Sequence, residues 1–329
     1  MLAKKIIARM GQMIIVLFVL STITFILMKL APGDPVTKIL HLDVANVPTE
    51  KIEALREKLG FNDSLFAQWW HWLSHILQLD FGVSYQSSEP VLDELVYFTP
   101  PTLIIALGAL AVTFIVSISL GTLAAKYYHT WIDTTIRILT SMFVSIPSFF
   151  LGIILIYFFS QKLNLLPSSG IDHPMSYVLP IISISIGMCA YSVRLMRSSL
   201  IELYQSKEVR ASRLRGMSER YILMHDIFKP ALLPIISILG LSIGSLVGGT
   251  VVIENLFDIP GIGHYLVDSI RARDYPVVQG AVIMIGVFVI IANGIADILI
   301  LILDPKQRYQ SKRKRRPHIF KRFSRKEGA

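Results

Sequence analysis

Charge is scarce in this sequence: Asp, Glu, Lys and Arg supply 17% of 329 residues, while 53% are hydrophobic. A soluble domain of that length needs far more charge to cover its surface, so a water-exposed globule is excluded. Cysteine is nearly absent as well. Cys189 stands alone in an apolar run, which excludes an intrachain disulfide and leaves core packing as its role. No Gly-Lys dipeptide occurs, so no G-x-x-x-x-G-K-[ST] loop can cradle nucleotide phosphates, and H-E-x-x-H is missing too. The chain is therefore expected to catalyse nothing by itself.

What is abundant is apolar length. Mean hydropathy is +0.57, and six runs are long enough to cross a bilayer, which takes about 20 helical residues. They lie at Met10–Leu30, Thr102–Ala125, Ile136–Ser160, Tyr177–Met196, Pro234–Ile253 and Val277–Leu303. The expectation is an all-α polytopic membrane protein with six transmembrane helices. The first run follows Lys4, Lys5 and Arg9 in the manner of a signal peptide. It exceeds the usual h-region of about 7–15 residues, and "KLAPGDP" after it has no small-x-small cleavage pattern, so a retained span is favoured. With both termini cytoplasmic, 24 of the 32 Lys/Arg fall on the inner side and 15 of the 23 acidic residues on the outer side. That asymmetry fixes the expected orientation.

The spans divide the chain into four parts. Residues 1–30 form a cytoplasmic N-terminus and the first span, and 31–101 an extracytoplasmic cap. Residues 102–303 form a five-helix core with a cytoplasmic loop at 197–233, and 304–329 a basic tail. Within the cap, Ile52, Leu55 and Leu59 have helical spacing, with Thr49 or Pro48 opening the helix and Gly60 closing it. "SLFAQWWHWLSHILQL" follows, and its Trp69, Trp70 and Trp72 suit a helix at the membrane interface. The tail, "SKRKRRPHIFKRFSRK", reads as a solvated topology signal attracted to anionic lipid, not as a nucleic-acid element.

Polar residues inside spans mark pathways or helix contacts. Asn293 and Asp297 share a face of the last span; they suit an interhelical hydrogen bond, or an ion relay that would make the chain a stand-alone secondary transporter. Gly240, Gly244 and Gly248 form a small-x-x-x-small face. Such a face serves close packing beside a pathway between subunits, or ordinary packing within one. Pro147 is expected to kink the third span. His71 and His75, four apart on a helix, have the spacing of a transition-metal pair, although two imidazoles alone make a weak site.

The stretch "KEVRASRLRGMSERYILMHDIFKPALLPII", Lys207 to Ile236, carries six Lys/Arg between two hydrophobic runs. Gly216 can take φ > 0 and turn the chain between two helices. After it, Met217, Tyr221, Met224 and Phe228 fall on one stripe, and Pro230 and Pro234 are expected to end this helix and open the next span. A short amphipathic helix with exposed anchors suits a groove on a partner.

"RASRLRG", with downstream His225 and "PALLP", resembles the EAA loop of binding-protein-dependent ABC importer permeases. Three further blocks are similar to the peptide/nickel branch. These are "LGFNDSLFAQWWHWL" with "LDFGVSYQSSEPVLDEL", "GGTVVIENLFDIPGIGHYLVDSIRARDYPVVQG", and "ADILILILDPKQR". The wording is most similar to nickel-import permeases, with dipeptide and oligopeptide permeases as the alternative. The resemblance implies a type I ABC importer transmembrane fold in the bacterial inner or plasma membrane. It implies pairing with a second permease subunit, two ATP-binding subunits that hold ATP-Mg, and an extracytoplasmic substrate-binding protein, and no cofactor on this chain. Arg210, Ala211 and Ser212 align with the Glu-Ala-Ala positions and Gly216 with the motif glycine, so Arg210 to Arg213, Gly216 and His225 are the expected coupling residues. The glutamate is missing here, so a salt bridge it makes elsewhere does not transfer. Gly240, Gly244, Gly248, Asn293 and Asp297 are the expected gate-side interface, and Glu254 and Asp258 the external mouth.

Overall fold

The computed structural model describes residues 2–30, 35–40 and 48–303. The basic tail therefore lies outside the described residues, as do positions 31–34 and 41–47 of the cap. All named elements are helical. They are α1 (Leu2–Leu30), α2 (Pro35–Ile39), α3 (Thr49–Lys58), α4 (Leu65–Leu77), α5 (Val91–Lys126), α6 (Trp131–Val144) and α7 (Ser148–Leu155). There follow α8 (Val178–Tyr204), α9 (Lys207–Leu214), α10 (Glu219–Tyr221), α11 (Lys229–Leu256), α12 (Ile262–Ala272) and α13 (Tyr275–Leu303). Among the described residues five helices are long and apolar enough to span a membrane; a bent pair, α6 with α7 and the π turn that continues α7 to Lys162, supplies a sixth if counted as one span.

Three expected spans take a different form. The second is longer than its apolar run: α5 has 36 residues, with Pro100 and Pro101 inside it. At about 1.5 Å per residue it outreaches a hydrocarbon core of about 30 Å. The third is broken rather than kinked, because Ser145 to Pro147 separate α6 from α7 and the two meet at 103°. Pro147 sits at the N-cap of α7, where its missing N–H leaves no helical bond unmade. The fifth begins earlier than expected. Pro230 and Pro234 do not end the elbow helix, which passes through a π turn at Ile222–Phe228 directly into α11. A π turn shifts the hydrogen-bond register, and each proline removes one donor, so the helix absorbs both.

The bundle has two distinct ends. At one, Val209, Ile222 and Ile227 of the elbow are buried against Met196 and Leu200 of α8 and Ile235 of α11. Burying three such side chains is worth about 1.5–3 kcal/mol each, so the elbow is welded to the spans. At this end the Asp133 carboxylate of α6, almost fully buried, accepts from Arg197 Nη2 of α8 at 2.7 Å.

At the opposite end the cap docks on the first span. Trp69 Nε1 donates to Thr22 Oγ1 at 3.3 Å, Trp69 meets Phe18 edge-on, and Trp72 stacks on Phe25. These two indoles therefore face α1 rather than a lipid interface; Trp70 is the exposed one. Lys29 at the end of α1 lies over the Phe25, Phe61 and Tyr275 rings, joining cap, α1 and α13.

Candidate functional site

The elbow is built as two short arms around one glycine. Ser206 caps α9 by accepting from Val209 N, and Ser218 caps α10 by accepting from Tyr221 N. Between them Gly216 has φ +74°, the left-handed region that favours glycine. Ser212 is buried and its Oγ donates to Asp226 Oδ2 at 2.6 Å, tying arm to arm. Arg213 grips Glu219 through two hydrogen bonds of 2.7 and 3.1 Å and lies over the Tyr204 ring. Arg210 is exposed, Ala211 half-buried, and His225 is exposed and stacked on Tyr221 at 4.3 Å. The elbow thus divides its faces. Ile222 and Ile227 point into the bundle, while Met217, Tyr221 and Met224 of the expected stripe, with Leu214 at the bend, stay exposed. An unpaired apolar edge on a rigidly mounted turn can transmit a push from a partner into α8 and α11.

The glycine face of α11 divides in the same way. A Cβ on Gly240 would run into Ala296 of α13, and one on Gly244 would lie 3.5 Å from Val289. Gly248 faces open space and is exposed. The first two glycines therefore serve packing within this chain. Asn293 is half-buried on α13, and the Asp297 side chain lies outside the described ones. Gly240 to Gly244 also spells G-x-S-x-G. It lies within a continuous helix where Ser242 Oγ donates to Ile238 O, not on the strand-to-helix turn a nucleophile requires.

Of the two expected mouth residues, only Asp258 is exposed, with φ +52°. Glu254 is fully buried by its own chain. Its Oε1 accepts from Thr102 Oγ1 at 2.7 Å and its Oε2 from His264 N at 2.9 Å, while Thr102 Oγ1 accepts from Ile262 N. The correction has a physical cause: the chain turns back after α11, and the carboxylate satisfies backbone donors that α12 leaves free at its N-terminus. Glu254 is a staple between α5, α11 and α12. His71 and His75 are exposed on α4, and His75 Nδ1 lies 2.9 Å from Asp80 Oδ2. The His75 hydrogen bond holds Asp80 below the usual carboxylate range. Among the described residues no group of three or more His, Cys, Asp or Glu is placed to hold a metal.

Sequence reasoning missed the Asp133–Arg197 pair and the Thr102–Glu254 staple. The first left a trace: Asp133 is the one acidic residue between Glu94 and Asp172, on a side otherwise rich in cations. The second left none, since Thr102 is an ordinary first residue of an apolar run.

Residues 117–309 match the family described as "Binding-protein-dependent transport system inner membrane component", and residues 1–106 match its N-terminal companion. The nickel import system permease protein NikB of Staphylococcus aureus (strain USA300) is 57% identical over 309 residues, 93% of this chain and 92% of that one. Its counterpart in strain bovine RF122 / ET3-1 is 56% identical over the same length. A chain of the inward-facing MetNI methionine ABC transporter superimposes with a TM-score of 0.55, covering 66% of this chain and 99% of that one, at 18% identity. That likeness is one of fold alone. The resemblance carried by the three collinear blocks and the elbow is borne out by the family matches and by the NikB relatives. This chain belongs to the inner membrane components of binding-protein-dependent transport systems.

Proposed function

We propose that this chain is the permease subunit of an ATP-driven importer that carries nickel, free or held by a small chelator, across the bacterial cell membrane. The observation that carries this reading is 57% identity, spread over 93% of the chain, to a nickel import permease. The subunit pairs with a second permease, and two ATP-binding subunits holding ATP-Mg dock on the elbow from the cytoplasm. An extracytoplasmic binding protein delivers cargo at the cap end. The distribution of Lys and Arg supports this orientation, since it puts the elbow on the cation-rich side.

The elbow's construction supports the mechanism. Closure of the ATPases presses on the exposed edge at Leu214, Met217 and Tyr221. The buried contacts of Val209, Ile222 and Ile227 carry that displacement into α8 and α11. The spans then exchange inward-open and outward-open arrangements, an alternating-access cycle. This chain supplies the path and the lever, and the hydrolysis belongs to its partners. Cells lacking the chain test the cargo. Radiolabelled nickel uptake should fall to background and return on complementation. Unchanged nickel uptake with lost dipeptide uptake would contradict the reading.

A further inference from the structure

A cavity of about 510 Å³ opens where α3 and α4 meet the end of α1 and the start of α13, and His71, His75 and Asp80 all line it. The histidines lie four apart on α4, so their rings leave the helix on one face, with centroids 6.5 Å apart and planes tilted by 32°. For metal–nitrogen bonds of about 2.0–2.1 Å, two imidazoles on one ion have centroids roughly 4.5–6.5 Å apart as the ligand angle opens from ~90° to ~180°. The observed spacing is at the outer edge of that range. A modest rotation of the exposed His71 ring shortens it while His75 stays on Asp80.

The hydrogen bond on His75 sets its tautomer. A carboxylate only accepts, so at Asp80 Oδ2 it is Nδ1–H that donates, and Nε2 keeps its lone pair. A carboxylate on the far nitrogen orients a ligating imidazole and raises its basicity. Asp80 is itself fixed, its Oδ1 accepting from Gly82 N at 2.9 Å. With only two protein donors the remaining positions on the ion are left to water or a chelator. That suits cargo that has to leave again, whereas a closed set of four donors retains its metal.

We propose that His71 and His75, with Asp80 as the positioning residue behind His75, form an open two-imidazole site that holds a transition-metal cation at the cap end of the permease. The choice of Ni²⁺ as that cation rests on the nickel reading above. The donor set by itself selects imidazole-seeking divalent metals, Cu²⁺ above Ni²⁺ above Co²⁺, with Mn²⁺ weakest.

The test is calorimetric titration of Ni²⁺ into the untagged full chain, assembled with its partners in detergent, beside His71→Ala, His75→Ala and the double variant. Both rings are exposed, so unchanged helicity and monodispersity are expected in all three. The wild type should show one saturable site that each single variant weakens at least tenfold and the double variant abolishes. Asp80→Asn should weaken it by about 10-fold with the Cu²⁺, Ni²⁺, Co²⁺ order preserved, the size of effect known for partners behind a ligand. A double variant that binds Ni²⁺ as tightly as the wild type overturns the site, as does a wild type without a saturable site. Nickel uptake by wild-type cells separates the two proposals: its absence defeats the cargo reading, whereas equal binding by the double variant defeats only the site.

Discussion

Ser212 Oγ donates to Asp226 Oδ2 at 2.6 Å, joining residues 14 positions apart and holding α9 against the π turn that leads into α11. Because Ser212 is buried, Ser212→Ala leaves the Asp226 carboxylate short of a donor. A hydrogen bond to a charged group contributes about 1.5–3 kcal/mol, so opening of the elbow should rise roughly tenfold or more. Limited proteolysis within 207–228 should accelerate accordingly. Nickel uptake should fall while the partner ATPases continue to turn over, and Ser212→Thr, which keeps the hydroxyl, should be the milder change.

Gly216 offers a test of conformation without sterics. A Cβ there meets nothing within 4 Å, yet φ is +74°. Any penalty is therefore backbone strain, about 1–2 kcal/mol for an ordinary L residue in the left-handed region and less for Asn. Uptake should rank Gly216 above Gly216→Asn above Gly216→Val, with membrane insertion equal in all three.

The elbow was legible in the sequence because charge, a glycine and an apolar stripe are local signals, and local signals survive folding. Its continuation through Pro230 and Pro234 was not, because a π turn shifts register without any residue type announcing it. The six apolar runs marked the spans, but α5 outgrew its run and α6–α7 broke, since hydropathy measures composition and not helix continuity. Glu254 misled for a different reason. An acid near the end of a span reads as solvent-facing, and only the return of α12 over it, with Thr102 a hundred and more residues upstream, turns it inward. Asp133 and Arg197 are likewise paired only by the packing of α6 on α8.

Glu254→Ala removes the acceptor for two donors, the buried Thr102 Oγ1 and the part-buried His264 N. Each unsatisfied group costs about 1–3 kcal/mol. Thermal unfolding in detergent should shift down clearly for Glu254→Ala and by less for Glu254→Gln, which keeps one acceptor and the side-chain volume. Equal unfolding of all three proteins would contradict the staple.

Gly240 and Gly248 should separate cleanly. A methyl at Gly240 drives α11 off Ala296 of α13, an overpacking that costs about 1–3 kcal/mol, whereas a methyl at Gly248 meets no neighbouring atom within 4 Å among the described residues. Gly240→Ala should lower the unfolding free energy of the isolated chain, and Gly248→Ala should leave it within about 0.5 kcal/mol of wild type.

The central claim is that force generated by partner ATPases enters this chain through the elbow and drives import. Its most direct measurement is simultaneous nickel uptake and ATP hydrolysis in proteoliposomes holding the complete assembly. Uptake should require ATP and the ATPase subunits, and Gly216→Val should lower uptake roughly tenfold while hydrolysis continues. Nickel uptake by the purified chain alone, driven by an ion gradient, would contradict it.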